Sequence, residues 1–343
     1  MHYTQIKSQI CYYRMEKNKQ RDTYFDFLRG VAIIMVIGIH TYVDGLIHLN
    51  LFMRQFLNCA VPIFLAISGY FIGQKLFDEK GSYTKFLGKQ IPRVYIPMLF
   101  WSIPWIILSI KGGDDPWQTV LKAFVGEMSI FYFIILIVQY YILTPVIQKV
   151  NLRIGGGYSV ILTIIGIAVF DYVMRIKGMK LSMVQSGSLF PVWMVFYVMG
   201  VLKAQNIEFP FQTKRPWIGA AIGIALCVVQ IAWLYIQYGS IAHGIKLSSH
   251  IYTYFVIIWL FSDNARDLYT KILNNQLANW IVETGRLSFF IYLTHCLIIF
   301  TFSIIHIPNL WSIRWPLCIL LSYVFARQCD KLCPMGIKKY IGF

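Results

Sequence analysis

The chain has 343 residues, of which 57% are hydrophobic and 13% are charged, and its formal net charge is +16. Soluble domains carry about 25% charged residues, so this composition excludes a cytosolic enzyme, a disordered chain and a disulfide-stapled secreted domain. It predicts an all-α membrane protein that crosses the bilayer several times. In such a protein an excess of Lys and Arg indicates topology rather than nucleic-acid binding, so we expect no nucleic-acid partner.

The predicted organisation is one membrane domain between two short tails. Residues 1–23 are polar and basic and lack the features of a cleavable signal peptide, so we expect a cytoplasmic N-terminal tail at 1–23, a membrane domain at 24–330 and a cytoplasmic C-terminal tail at 331–343. A transmembrane helix needs about 20 apolar residues. Ten segments come close to this length, at 25–43, 51–74, 91–110, 124–147, 158–174, 189–202, 216–238, 250–261, 287–305 and 313–326.

The distribution of cations predicts the orientation of these ten segments. With the N-terminus inside, the cytoplasmic segments hold 22 of the 31 Lys and Arg residues, and the outer segments hold 8. Lys and Arg collect in cytoplasmic loops, so we expect both termini inside, with 175–188 and 239–249 outside. The expected location is the cytoplasmic (inner) membrane of a bacterium, and the basic outer loop 175–188 suits anionic lipid or phosphate.

The first predicted helix carries three polar residues in an apolar sequence: Asp26, Arg29 and His40. Arg29 and His40 are eleven positions apart, which places them on one helix face about 16 Å apart along the axis. Asp26 lies one turn before Arg29 and can pair with it. Charged groups within a membrane usually have a function, although Arg29 alone could extend to the inner surface and His40 could cap a helix interface.

The second predicted helix contains Pro62, Ser68 and Gly69. If the helix runs from outside to inside, Ser68 and Gly69 lie near the depth of Arg29. Small residues allow the close approach of a ligand or of a neighbouring helix. Both a donor-binding role and ordinary helix packing are therefore consistent with this pair.

The segment before the third predicted helix is basic. Lys85, Lys89 and Arg93 recur every four residues, which aligns them in one stripe on a helix. Such a stripe at the inner surface suits either anionic lipid headgroups or a polyphosphate ligand.

A second intramembrane histidine occurs in the ninth predicted helix. His295 follows Tyr292 and lies about 12–15 Å into the membrane from the start of this helix. A buried histidine that is satisfied by its neighbours is the simpler interpretation. Two such histidines together with Arg29 favour a polar tunnel.

These segments together resemble acyltransferase family 3, whose members are integral membrane enzymes that O-acylate surface sugars. The resemblance covers most of residues 22–330. It is carried by Arg29 with His40, by the run from Val61 to Phe71 that contains Ser68-Gly69, by Phe86…Arg93…Pro97, by Tyr140-Tyr141…Thr144-Pro145, and by Ser288…Tyr292-Leu293…His295.

The resemblance implies transfer of an acyl group from cytosolic acyl-CoA, which for an O-acetyltransferase is acetyl-CoA, to a hydroxyl of a surface polysaccharide or lipid-linked sugar. It implies no bound cofactor, and we expect no metal. Because histidine titrates near neutral pH, we expect His40 to act as general base or as a transient acyl carrier, with Arg29 and His295 beside it. Asp26 and Tyr292 are expected to support them, and Lys89, Arg93, Ser68 and Gly69 to bind the donor.

The sequence is also compatible with two other classes of function. A non-enzymatic transporter or flippase of polysaccharide intermediates would also use Arg29 and intramembrane histidines. However, the sequence has no internal repeat of the kind common in transporters. A sensor or scaffold would not require charged groups within the membrane.

Overall fold

A computed structural model describes residues 22–42, 53–75, 77, 82–238 and 245–343. Most of the predicted N-terminal tail and of the predicted outer loop 239–249 lies outside the described residues. The regular structure within these ranges is helical, with no strand. The helices are α1 (Thr23–Thr41), α2 (Met53–Gly73), α3 (Ser82–Lys111), α4 (Pro116–Phe124), α5 (Tyr132–Ile154), α6 (Gly157–Asp171), α7 (Met183–Gly187), α8 (Phe190–Gln205), α9 (Pro216–Tyr238), α10 (Leu247–Leu260), α11 (Asp263–Ile272), α12 (Gln276–Arg286), α13 (Ser288–Ile304), α14 (Trp311–Leu332) and α15 (Met335–Ile341).

Six of these helices are long and apolar enough to cross a membrane: α1, α2, α3, α5, α9 and α6, whose helical span continues to Met174. The pair α12 and α13 passes the same test together but is bent by 85°, which gives up to seven candidates among the described residues. The other predicted segments also form helices, since α8 and α10 are shorter apolar helices and α14 is long but carries several charges. The all-helical membrane fold is therefore confirmed, while the count of ten and the cytoplasmic termini stay predictions.

The fourth predicted segment, 124–147, begins later in the structure than the sequence suggests. α5 starts at Tyr132. The residues before it form turns in which Gly126 has φ 74° and Ser129 has φ 56°. Left-handed backbone at two nearby positions cannot continue an α-helix, so the apolar residues at 125–131 belong to a connection.

Direct backbone contacts fix the centre of the helix bundle. Gly69 on α2 lies against the carbonyl oxygen of Tyr197 on α8, and Gly200 on α8 lies against the carbonyl oxygen of Ala66 on α2. A Cβ atom at either glycine would overlap the opposite backbone. Small residues at helix crossings allow such a close approach in membrane proteins, and here they set the separation of α2 and α8.

A second crossing of this kind holds α12 against the N-terminal half of α1. A Cβ atom at Gly30 would overlap the carbonyl oxygen of Ile281, and one at Gly285 would overlap the carbonyl oxygen of Asp26. Directly after this contact the chain bends by 85° at Leu287 and continues as α13. The bend brings the first turn of α13 next to the charged end of α1.

The C-terminal residues pack on the membrane helices. α15 lies beside α3, and the Trp101 side chain donates a hydrogen bond from Nε1 to the carbonyl oxygen of Ile341 at 3.0 Å. The ring of Phe343 stacks on that of Phe290, with 4.5 Å between the centroids. The segment predicted as a tail, 331–343, is therefore in contact with the helical domain from Ile341 to Phe343.

Candidate active site

A cavity of ≈ 370 Å³ lies between α1, α2, α3, α5, α8 and α13. Apolar side chains such as Val36, Val61 and Phe133 form much of its wall. Its polar lining residues are Arg29, His40, Arg54, Gln55, Asn58, Ser68, Tyr132, Tyr141, Ser186, Ser288 and Tyr292. An apolar cavity with a few convergent polar groups is typical of a ligand or active site.

The structure brings the two predicted histidines together. The imidazole rings of His40 on α1 and His295 on α13 are in contact, with 5.5 Å between their centroids and 48° between their planes. His40 is partly exposed to the cavity, whereas His295 is fully buried behind it. Two residues separated by 255 positions in the sequence thus form one histidine pair at the cavity wall.

Hydrogen bonds within α13 fix the protonation pattern of His295. Its Nδ1 lies 3.0 Å from the carbonyl oxygens of Ile291 and Tyr292. A carbonyl oxygen only accepts hydrogen bonds, so Nδ1 carries the proton and donates it. In the neutral ring Nε2 is therefore the basic nitrogen, and it lies 3.6 Å from the Sγ of Cys296. This nitrogen is the one with which His295 can take up a proton.

Among the described residues, Arg29 lies with Asp26 and Arg286 at the N-terminal end of α1. Its Nη1 is 3.1 Å from Oδ1 of Asp26, and Nε of Arg286 on α12 is 3.6 Å from Oδ2 of the same carboxylate. Asp26 is 1% exposed, whereas the side chain of Arg29 is 28% exposed and stacks over the ring of Phe71 at 5.0 Å. The predicted pairing of Asp26 with Arg29 is present, and one buried carboxylate holds two guanidinium groups.

The basic stripe on α3 does not line the cavity. Lys75, which was not predicted as a site residue, lies beside this stripe. Lys85, Lys89 and Arg93 are exposed on α3. Lys75 at the end of α2 lies with its Nζ 4.9 Å from the ring centroid of Phe86. Partial desolvation, and then the nearby charges of Lys89 and Arg93, lower the pKa of Lys75 below its ordinary value. Within the described ranges no carboxylate forms an ion pair with these three cations, and cations held near one another in this way favour an anionic ligand.

Tyr141 connects this basic cluster, defined as Lys75, Lys89 and Arg93, with the cavity. Its side chain lines the cavity and lies within electrostatic reach of both Arg93 and Arg29. The backbone of Lys75 is held in place by Gln148 on α5, whose Nε2 donates to the Lys75 carbonyl oxygen at 2.8 Å. The basic cluster therefore lies at the end of the cavity that Arg29 occupies.

The remaining predicted residues separate into two groups. Ser68 lines the cavity, and so does Tyr292, whose hydroxyl donates to the carbonyl oxygen of Ile130. Gly69 does not line it. Its place at the crossing with Tyr197 gives this glycine a packing role, which was the alternative interpretation of the Ser-Gly pair.

Arg54 on α2 was assigned to an outer segment and was missed as a site residue. It lines the cavity, its Cζ lies 5.0 Å from the ring centroid of Tyr42, and its charge acts on His40. Asn58 donates to Gln55 at 3.1 Å beside it. The spacing of Arg54, Asn58 and Ser68 along α2 is helical, and this periodicity was the available signal.

The arrangement can support proton transfer at one end and anion binding at the other. The histidine pair supplies basic nitrogens, and Arg29 with the basic cluster supplies positive charge on the other side of an apolar cavity. Within the described ranges no group of three or more His, Cys, Asp or Glu side chains could hold a metal ion. The six cysteines in those ranges are free thiols.

Comparison with known proteins gives one match. The family model of the acyltransferase domain of acyltransferase family 3 matches residues 22–326. No curated protein and no solved structure matches the chain. The matched region contains the cavity, the histidine pair and the basic cluster.

Proposed function

The chain belongs to acyltransferase family 3, a family of membrane acyltransferases, and from this we propose that it transfers an acetyl group from cytosolic acetyl-CoA to a sugar hydroxyl. The proposed acceptor is a surface polysaccharide or a lipid-linked sugar, and the proposed location is the inner membrane of a bacterium. The observation that carries the proposal is the contact between His40 and His295 in a cavity whose other end is marked by Arg29.

In the proposed reaction the thioester lies beside His40 and the phosphates lie near Arg29. The two residues are eleven positions apart on α1, which corresponds to about 16 Å, a length comparable to that of an extended pantetheine arm. Lys89, Arg93 and Lys75 then meet the remaining donor charge at the entrance. A charge-assisted contact is typically worth about 1.5–3 kcal/mol, so each of these cations would raise the donor affinity about ten- to one-hundredfold.

The chemistry can follow either of two balanced routes. In the first, His40 takes the proton of the acceptor hydroxyl, the oxygen attacks the thioester carbonyl, and the C–S bond breaks to release CoA, whose sulfur receives the proton. In the second, one nitrogen of His40 attacks the thioester, the C–S bond breaks, and CoA leaves with the proton from the other ring nitrogen; the acceptor hydroxyl then attacks the acyl group, the C–N bond breaks, and the hydroxyl proton returns to His40. In either route Nε2 of His295 can hold the proton transiently while it moves between His40 and the sulfur of CoA.

A transfer assay with purified protein in lipid nanodiscs tests the proposal. We expect CoA release from acetyl-CoA to require an acceptor glycan in the first route. In the second route, one equivalent of CoA per protein appears without acceptor. The opposing result is protein that moves a lipid-linked sugar across vesicles but never cleaves acetyl-CoA, which would favour the transporter function.

A further inference from the structure

The bend between α12 and α13 produces a helix N-terminus inside the cavity wall. The chain turns by 85° at Leu287, and α13 then runs for 17 residues from Ser288. The first amide groups of a helix have no acceptor within that helix, and the N-terminal end carries partial positive charge. In the described part of the chain, the backbone N–H groups of Ser288, Phe289 and Phe290 have no hydrogen-bond partner.

Ser288 adds an independent feature to this N-terminus. The residue is 5% exposed, yet it lines the cavity. Its hydroxyl has no hydrogen-bond partner among the described residues, and it is not one of the fully enclosed polar atoms without a partner there. The hydroxyl is therefore open to the cavity, where it can donate to a ligand that accepts hydrogen bonds.

The charges around Ser288 specify an anion. Arg286, two residues earlier, and Arg29 on α1 share the Asp26 carboxylate at 3.6 Å and 3.1 Å. Two guanidinium groups therefore meet one carboxylate beside the first turn of α13. The crossing of Gly285 with α1 brings these groups together. Free backbone amides, a hydroxyl and an arginine are the groups that proteins use to bind phosphate.

We propose that the first turn of α13, with the Ser288 hydroxyl and Arg29, binds the diphosphate group of the acyl donor. This assignment rests on the proposed function. Ser288 lies seven residues before His295, which is about 10 Å along α13, and Arg29 lies about 16 Å from His40 along α1. A diphosphate held at this end therefore leaves the pantetheine arm free to carry the thioester to the histidine pair.

Ser288→Ala tests the site with three donors: acetyl-CoA, acetyl-dephospho-CoA, which keeps the diphosphate, and S-acetylpantetheine, which lacks it. We expect KM to rise at least about tenfold for the first two and to stay unchanged for the third. The control is Ser159→Ala on α6, because Ser159 is also buried but its hydroxyl already donates to Gly156 at 2.6 Å. An equal rise for all three donors would overturn the proposal.

Binding of inorganic pyrophosphate separates this site from the proposed transfer reaction. Pyrophosphate should raise the Tm of the solubilised wild type and of Ser159→Ala, and it should have a much smaller effect on Ser288→Ala. If no thioester is consumed but this pattern holds, the transfer function fails and the diphosphate site stands. If pyrophosphate binding depends on Ser288 but KM for acetyl-CoA does not, the site takes a lipid phosphate and the donor assignment is wrong.

Discussion

Replacement of His40 by alanine is the sharpest perturbation of the proposed chemistry. Among the described residues, the His40 ring contacts the ring of His295 and lies within electrostatic reach of Arg54, and the side chain is partly exposed to the cavity. Its loss therefore removes little packing. Loss of a general base typically lowers the rate by about 10²–10⁴, which corresponds to about 2.7–5.4 kcal/mol in the activation barrier.

The assay measures acetylated glycan and CoA release for wild type and His40→Ala, with Tm as the measure of folding. We expect kcat to fall by the factor above while Tm and KM for acetyl-CoA change little. If His40 is an acyl carrier, the loss is more complete and the acceptor-independent release of CoA also disappears. His250→Ala is the informative contrast, because His250 does not line the cavity. Its Nδ1 lies 2.9 Å from the carbonyl oxygen of Lys246, and its Nε2 lies 3.1 Å from that of Val192. His250→Ala should lower Tm but leave kcat of the folded protein unchanged. Full activity of His40→Ala would refute the assignment.

Four further predictions follow from the charged groups and the topology. Lys89→Gln and Arg93→Gln should each raise KM for acetyl-CoA, and an unchanged KM in both would make the stripe a lipid contact. Lys75→Met should also raise KM for acetyl-CoA but should not lower Tm. The pKa of Lys75 is lowered in the folded protein, so the charged form of this side chain does not stabilise the fold at pH values below that pKa. In the wild type, donor affinity should fall as the pH rises through the lowered pKa, because Lys75 then loses its charge. Arg29→Lys keeps the charge but loses the planar group between Asp26 and Phe71, so kcat/KM measured with acetyl-CoA should fall. A cysteine introduced at position 210 should resist a membrane-impermeant reagent applied from the periplasmic side, and labelling there would contradict the predicted orientation.

The periodicity of polar residues predicted which side chains share a face of α1 better than it predicted the limits of the helices. Arg29 and His40 could be placed on one face because both lie on a single helix, and the sequence spacing of α1 fixes that geometry. The contact of His40 with His295 required the packing of α13, which no local pattern contains. The late start of α5 depends on the left-handed backbone at Gly126 and Ser129. A single glycine or serine in an apolar sequence is only weak evidence for such a conformation.

Arg54 and Ser288 show why the rest of the site could not be predicted. Arg54 precedes an apolar segment, and a count of cations between apolar segments assigns such a residue to a loop. In the structure its side chain lines the cavity. Ser288 was noticed only as part of a family pattern. Its significance comes from the 85° bend, which depends on the contact of Gly285 with a helix more than 250 residues earlier.

The glycine crossings limit how the helices can move against one another. Where the backbones of α2 and α8, and of α1 and α12, touch directly, sliding one helix past the other would force main-chain atoms together. Alternating access moves one half of a transporter against the other, and neither crossing could lie on the boundary between two such halves. Fixed crossings suit the proposed transfer reaction, in which the helices stay in place and the acyl group changes its carrier.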